Sequence, residues 1–270
     1  MAGRIVTITS GKGGVGKTTT TGNLAVALAQ LGKRVICLDL DIGLRSLDLI
    51  LGLESQIVYD IMDVIEGRVR WHQALVRTAR AEGLFLLPAS QWREKSDVTA
   101  EQITKLCHDL GAVFDFVLLD CPAGIEEGFK NAIAPANEII IVTTPDVPAV
   151  RGADRVVGIL ESINKPNPNL ILNRVQNLPV QQGYVLETPD VLEILGIELI
   201  GIVPEDPTVI INTSMGVPAV LAKRSEAGAA FTRIARRLVG EQIPFASPSA
   251  TGWWDQLLNT VSNRLRKPAR

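Results

Sequence analysis

The chain has 270 residues, 46% of them hydrophobic, and a formal charge of −2, enough for one sizeable α/β domain that buries its apolar surface without covalent staples. Its three cysteines, Cys37, Cys107 and Cys121, lie far apart inside apolar or helical patterns, which excludes a disulfide framework or a Cys-x-x-Cys metal site and fits a reducing cytosol. The near-neutral balance argues against a broad nucleic-acid footprint, and no apolar run approaches the roughly 20 residues that span a bilayer.

The first predicted strand is Arg4–Thr9, approached without a charged segment leading into an apolar one, so no export signal is expected. Next comes Ser10-Gly-Lys-Gly-Gly-Val-Gly-Lys-Thr-Thr-Thr-Thr21. Within it Gly11-x-x-x-x-Gly16-Lys17-Thr18 has the Walker A spacing, and it opens a helix predicted over Thr18–Leu31 and closed by Gly32. Glycines at 11, 13, 14 and 16 let the backbone curl so that its N–H groups face phosphate oxygens, and the helix adds the positive end of its dipole. Lys17 is then expected along the β- and γ-phosphates, with the Thr18 hydroxyl on Mg²⁺.

A strand over Arg34–Leu40 runs out at Asp39 and Asp41. After a strand at Leu84–Pro88 and a helix at Ala100–Leu110 closed by Gly111, the strand Phe116–Asp120 ends four apolar residues on a carboxylate. Asp120 there reads as a Walker B acid that holds Mg²⁺ through water, although Asp120 or Asp41 also suits a helix cap or turn. Strands at Glu138–Thr143, Asn169–Arg174 and Glu198–Val203 complete the pattern. Short Val/Ile/Leu runs alternating with helices predict an α/β fold: a single-domain P-loop NTPase with a mostly parallel twisted sheet of about seven or eight strands flanked by helices. The domain is placed at residues 1–243 and a linker at 244–251, where small residues and two prolines end the pattern.

The remaining segment, 252–270, is amphipathic. Trp253, Trp254, Leu257, Leu258, Val261 and Leu265 fall on one helical stripe, with Asp255, Gln256, Asn259, Asn263 and Arg266 largely opposite. Trp254–Arg270 holds four basic residues and one acid, which leaves the rest of the chain at −5. Such a helix either packs on the domain or lies in a membrane interface, where tryptophan favours the headgroup boundary and arginine favours anionic lipid.

Lys12 directly after Gly11, Asp-x-Asp-Ile-Gly-Leu-Arg-x-Leu-Asp at 39–48 and Asp-x-Pro-Ala-Gly-Ile-Glu at 120–126 together resemble the deviant Walker A (ParA/MinD) P-loop ATPases. Val58-Tyr59-Asp60, Leu-Leu-Pro-Ala-Ser-Gln at 86–91 and Pro-Glu-Asp at 204–206 extend the likeness over nearly the whole chain, toward the branch that positions the division site. The resemblance implies an ATPase using ATP and Mg²⁺, activated by a partner and assembled as an ATP-sandwiched homodimer in which Lys12 reaches the nucleotide of the other subunit. It makes Lys12, Asp41 and Lys17 the catalytic set, with Asp41 orienting the attacking water, and it groups Asp39 with Thr18 and Asp120 around the metal.

Nucleotide contacts implied by the resemblance come from Gly11, Lys12, Gly13, Gly14, Val15, Gly16, Lys17, Thr18 and Thr19, from Asn173 reading adenine beside Arg174, and from Pro204, Glu205 and Asp206 closing over the base. The tail becomes a membrane-targeting helix for anionic lipid, recruited when dimerisation pairs two weak helices. Arg151 and Asp154 become the surface for a MinC-type division inhibitor and a MinE-type activator. The expected location is cytoplasmic and reversibly peripheral on the inner face of the cell membrane. A ParA-type DNA- or cargo-positioning ATPase is the alternative. It needs a basic surface formed on dimerisation, whereas positive charge here gathers on the tail, so no sequence-specific nucleic acid partner is expected.

Overall fold

The computed structural model describes residues 3–176 and 185–245. Its elements are β1 (Arg4–Thr9), α1 (Lys17–Gln30), β2 (Val35–Asp39), α2 (Leu47–Leu51), α3 (Ile61–Ile65), β3 (Val76–Arg77) and β4 (Leu84–Leu87), then α4 (Ala100–Gly111), β5 (Phe116–Asp120), α5 (Glu127–Ile133), β6 (Glu138–Thr143) and α6 (Val147–Ser162), and finally β7 (Asn169–Val175), α7 (Thr188–Leu195), β8 (Glu198–Pro204), α8 (Pro207–Ser214) and α9 (Glu226–Leu238). The strands stand in the order β3-β4-β2-β5-β1-β6-β7-β8. All neighbours run parallel except β3, which pairs antiparallel with β4.

A parallel sheet is stable only when both faces are covered, and its strands are accordingly apolar on both sides. Every residue of β2 and β5 is buried. Ile36, Leu38, Val117 and Leu119 face a core shared with α4, α5, α6 and α7, while Val35, Cys37, Phe116 and Leu118 face the core under α1 and α9. Each such aliphatic side chain contributes about 1.5–3 kcal/mol on full burial.

Helix starts follow from short polar side chains. Asp60 accepts from Met62 N and Asp63 N, and Asp63 accepts from Asp60 N in return, a capping box that opens α3. Thr99 and Gln102 do the same for α4.

β1 is the strand where the chain reverses direction across the sheet: it passes first to the β5-β2-β4 side and later to β6-β7-β8. Crevices at such a reversal, outside the carboxyl ends of the strands, hold ligands in open α/β sheets. The phosphate-type loop follows β1 directly.

Element ends differ from the sequence-based expectation by about a residue. Helix α1 starts at Lys17 because Gly16, at φ 98°, is still part of the turn, and it stops at Gln30 because Leu31 has already left helical geometry. The two-residue β3 has too little pattern to be seen in the sequence. Among the described residues no helix is long and apolar enough to cross a membrane.

At the chain's far end Arg237 donates to Ile200 O, Ile243 O and Pro244 O, and its guanidinium lies 4.1 Å from the centre of the Phe245 ring. Pro244 and Phe245 thus still touch the domain, two residues past the expected boundary at 243. The six apolar tail residues, Trp253, Trp254, Leu257, Leu258, Val261 and Leu265, lie outside the described residues.

Candidate functional site

The loop between β1 and α1 is shaped by its glycines. Gly14 and Gly16 adopt φ 79° and φ 98°, left-handed values that an L side chain rarely tolerates. Gly11 serves a different end: a Cβ there would sit 1.9 Å from the backbone of Gly152 on α6, so two backbones meet directly. Ser10 Oγ donates to Lys12 O at 2.8 Å and closes the start of the loop. Lys17 is 8% exposed and sets its charge beside Asp120.

Three carboxylates converge on that lysine's side of the loop. Asp39 and Asp120 end adjacent strands and are register partners. Asp39 is fully buried, yet its oxygens are satisfied: Oδ1 accepts from Asp41 N, and Oδ2 from Ser46 N and Leu47 N, each at 3.0 Å. Those bonds pin the loop carrying Asp41, whose own carbonyl accepts from Leu44 N and Arg45 N. Asp39 therefore contacts the loop backbone and helps to set the shape of that loop.

Asp120 differs. Its Oδ1 accepts from Thr21 Oγ1 at 3.1 Å, while Oδ2 is buried with no donor in hydrogen-bond geometry among the described residues. Burial, and secondly the charge of Asp39, push the Asp120 carboxyl up to about 7, against the opposing pull of the Thr18 hydroxyl, Lys17 and Thr21. Burial likewise raises Asp39, against the same backbone bonds that satisfy it. A buried carboxylate oxygen lacking a donor, beside a threonine hydroxyl, is the hard oxygen set that suits Mg²⁺. Thr18 and Asp120 fit that ion.

Lys12 Nζ lies 3.1 Å from Asp146 Oδ1. Asp146 caps α6 by accepting from Ala149 N and also accepts from Thr144 Oγ1. Burial pushes its carboxyl up, but the bonds from Thr144, Lys12 and Ala149 N outweigh burial and hold it below the usual range. Lys12, Val15, Asp146, Arg174 and Glu205 line a cleft of about 290 Å³ together with Gly13 and Gly14.

Asn173 is 6% exposed, and its Nδ2 donates to Val15 O at 2.8 Å. Arg174 next to it has φ 55°, and the register of β7 against β8 slips between Leu172 and Val175. Glu205 N donates to Val175 O. The Asp206 side chain is occupied by structure: it caps α8 through Thr208 N and accepts from Ser225 Oγ and Ala227 N at the start of α9. Any contact of Asp206 with a base is thus left to its backbone. Thr19 O is held by Asn23 Nδ2.

Arg151 and Asp154 are both exposed on α6, the helix that Asp146 caps and Gly152 presses against the loop. The sequence reading missed Asp146 and Gly152. Asp146 before Val-Pro carries a recognisable helix-start signal. Gly152 carries none, because its need for smallness arises from Gly11, which is 141 residues away in the chain.

A family model described as an AAA domain matches residues 3–172. The septum site-determining protein MinD of Synechocystis sp. is 49% identical over 265 residues, 98% of this chain and 97% of that protein. The MinC:MinD cell division protein complex of Aquifex aeolicus superposes with a TM-score of 0.84 at 46% identity, covering 90% of this chain and 99% of that one. The septum site-determining protein MinD of Pyrococcus horikoshii, solved with Mg-ADP, gives a TM-score of 0.79 at 30% identity over 89% of this chain and 99% of that one.

Proposed function

The chain belongs to the MinD family of septum site-determining P-loop ATPases, and from that membership we propose a membrane-recruited, ATP-clamped dimer that carries a division inhibitor to its place of action. The chain is a division-site positioning ATPase that uses ATP and Mg²⁺. The observation that supports the proposal is the contrast between the loop's two lysines: Lys17 is buried beside Asp120, whereas the Lys12 side chain is half-exposed.

In this reading the loop N–H groups of residues 13–18 receive phosphate oxygens, and Lys17 lies along the β- and γ-phosphates. Thr18 and Asp120 would hold Mg²⁺, which would neutralise charge on the phosphates. Asp41, held in place through Asp39, orients the attacking water. Lys12 leaves Asp146 and reaches the phosphates of the second subunit, where a cation added in trans stabilises the charge of phosphoryl transfer. Hydrolysis then requires the dimer. The segments near Asn173, Arg174 and Pro204–Asp206 enclose the base.

The tail at 252–270 supplies lipid affinity. One short amphipathic helix binds reversibly, and two on one dimer gain roughly 10²–10⁴ in avidity without any new contact. ATP therefore recruits the protein to anionic lipid, and hydrolysis releases it. Arg151 and Asp154 are proposed to meet a MinC-type inhibitor and a MinE-type activator. Liposome co-sedimentation in ATP and in ADP tests the scheme: the full chain should pellet in ATP only, and a 1–251 truncation in neither. Equal binding in ADP, or by the truncation, would falsify it.

A further inference from the structure

Asn173 reaches back from the end of β7 to the phosphate loop, and the contact is built from both sides. Its amide is buried and donates to Val15 O at 2.8 Å. A Cβ on Gly16 would lie 2.4 Å from the same Nδ2, so the glycine makes room for it. The strand deforms to deliver it: Arg174 takes a left-handed φ of 55° and β7 slips register against β8 at this point. A non-glycine residue held at such a φ stores roughly 1–2 kcal/mol of strain, which persists only where the surroundings over-determine it.

We infer that Asn173 is a positioning residue for the phosphate loop, aiming the Gly16 N–H by holding the Val15 carbonyl. The two groups belong to one planar trans peptide and point in opposite directions. Anchoring the carbonyl on Asn173 turns the Gly16 N–H to the other side of the loop, and that N–H donates to no backbone carbonyl among the described residues. It stays available to a phosphate oxygen. A glycine-rich loop has the most conformational freedom to lose, and one buried amide removes much of it before any ligand arrives. This role is separate from a contact between Asn173 and a base, because Nδ2 carries a second hydrogen and Oδ1 is a further acceptor.

The inference rests on the reading of the loop as a phosphate site, and a ligand without a base separates the two. Mg·tripolyphosphate and Mg·ATP would be titrated calorimetrically into wild type, Asn173→Leu, which keeps the volume and removes the donor, and Asn173→Ala, all well below their melting temperatures. Both variants should bind both ligands about fivefold or more weakly, the size of one neutral hydrogen bond, and the Gly16 amide resonance should move in both. If tripolyphosphate affinity is unchanged while that of ATP falls, Asn173 serves the base alone and the inference is overturned. Unchanged affinity for both ligands overturns it equally. A wild type that binds neither ligand counts against the phosphate-site reading instead.

Discussion

Lys12 Nζ stands 3.1 Å from Asp146 Oδ1 of its own chain. A lysine proposed to act on a neighbouring subunit is therefore engaged at home, by the residue that starts the helix carrying Arg151 and Asp154. The pair is half-exposed, 47% and 35% by side chain, and such pairs contribute only about 0–1 kcal/mol. A triphosphate competes with that easily.

Asp146→Asn keeps an acceptor for Ala149 N and removes the charge. Its stability should stay within about 1 kcal/mol of wild type, while the fraction of dimer in ATP rises, as read by light scattering. A lower dimer fraction would show that Asp146 supports assembly rather than restrains it. Lys12→Ala should still bind ATP and lose stimulated hydrolysis; full activity would reduce Lys12 to an ordinary loop residue.

Asp41→Ala removes the group proposed to orient water. Phosphate release should fall by about 10²–10⁴-fold, the usual worth of a positioned base, with ATP-dependent dimerisation retained on a sizing column. Turnover within a fewfold of wild type would place the water's partner elsewhere.

Asp120 makes stability depend on pH in an uncommon direction. Burial, and then Asp39, raise its carboxyl from 3.8 to about 7. The native state therefore holds a proton that the unfolded chain releases, and stability from this group falls as pH rises through that window, with the penalty complete above about 7 and absent below about 4. In EDTA without nucleotide, Asp120→Asn should melt higher than wild type at about pH 8, by about 2–4 °C per kcal/mol gained, and the gap should shrink toward about pH 5. A gap independent of pH would mean that Asp120 is ionised throughout.

Gly152→Ala tests the meeting of α6 with the loop. Its Cβ would stand 2.8 Å from Gly11 O, too close for either backbone to accept without moving. Overpacking of this kind costs about 1–3 kcal/mol, measurable as a lower urea midpoint, and ATP affinity should fall with it. Wild-type values for both would show that the helix shifts freely.

The sheet was legible because its strands are buried on both faces: the runs ending at Thr9, Asp39 and Asp120 read as near-continuous apolar stretches, and each was placed to within a residue or so. The loop was legible because phosphate binding constrains spacing over eight consecutive residues. Asp39 shows where local reading stops. A carboxylate at the end of a strand beside a phosphate loop reads as a metal residue, and its bonds to three backbone N–H groups two to eight residues downstream carry no sequence signal of their own. Asn173 is a similar case, since its partner Val15 is 158 residues earlier. Pairings of this range leave no periodicity to detect, and the same holds for Gly11 with Gly152.

That glycine pair has a mechanical meaning. Where side chains separate two elements, rotamer changes soak up small displacements, as upholstery does between two frames. Gly11 and Gly152 have nothing between them but peptide planes, with no side chain whose rotamer could absorb a shift. A displacement of the loop would therefore bear directly on α6. The exposed flank of that same helix bears Arg151 and Asp154, so the loop and the proposed partner surface meet on one helix across a seam without side chains.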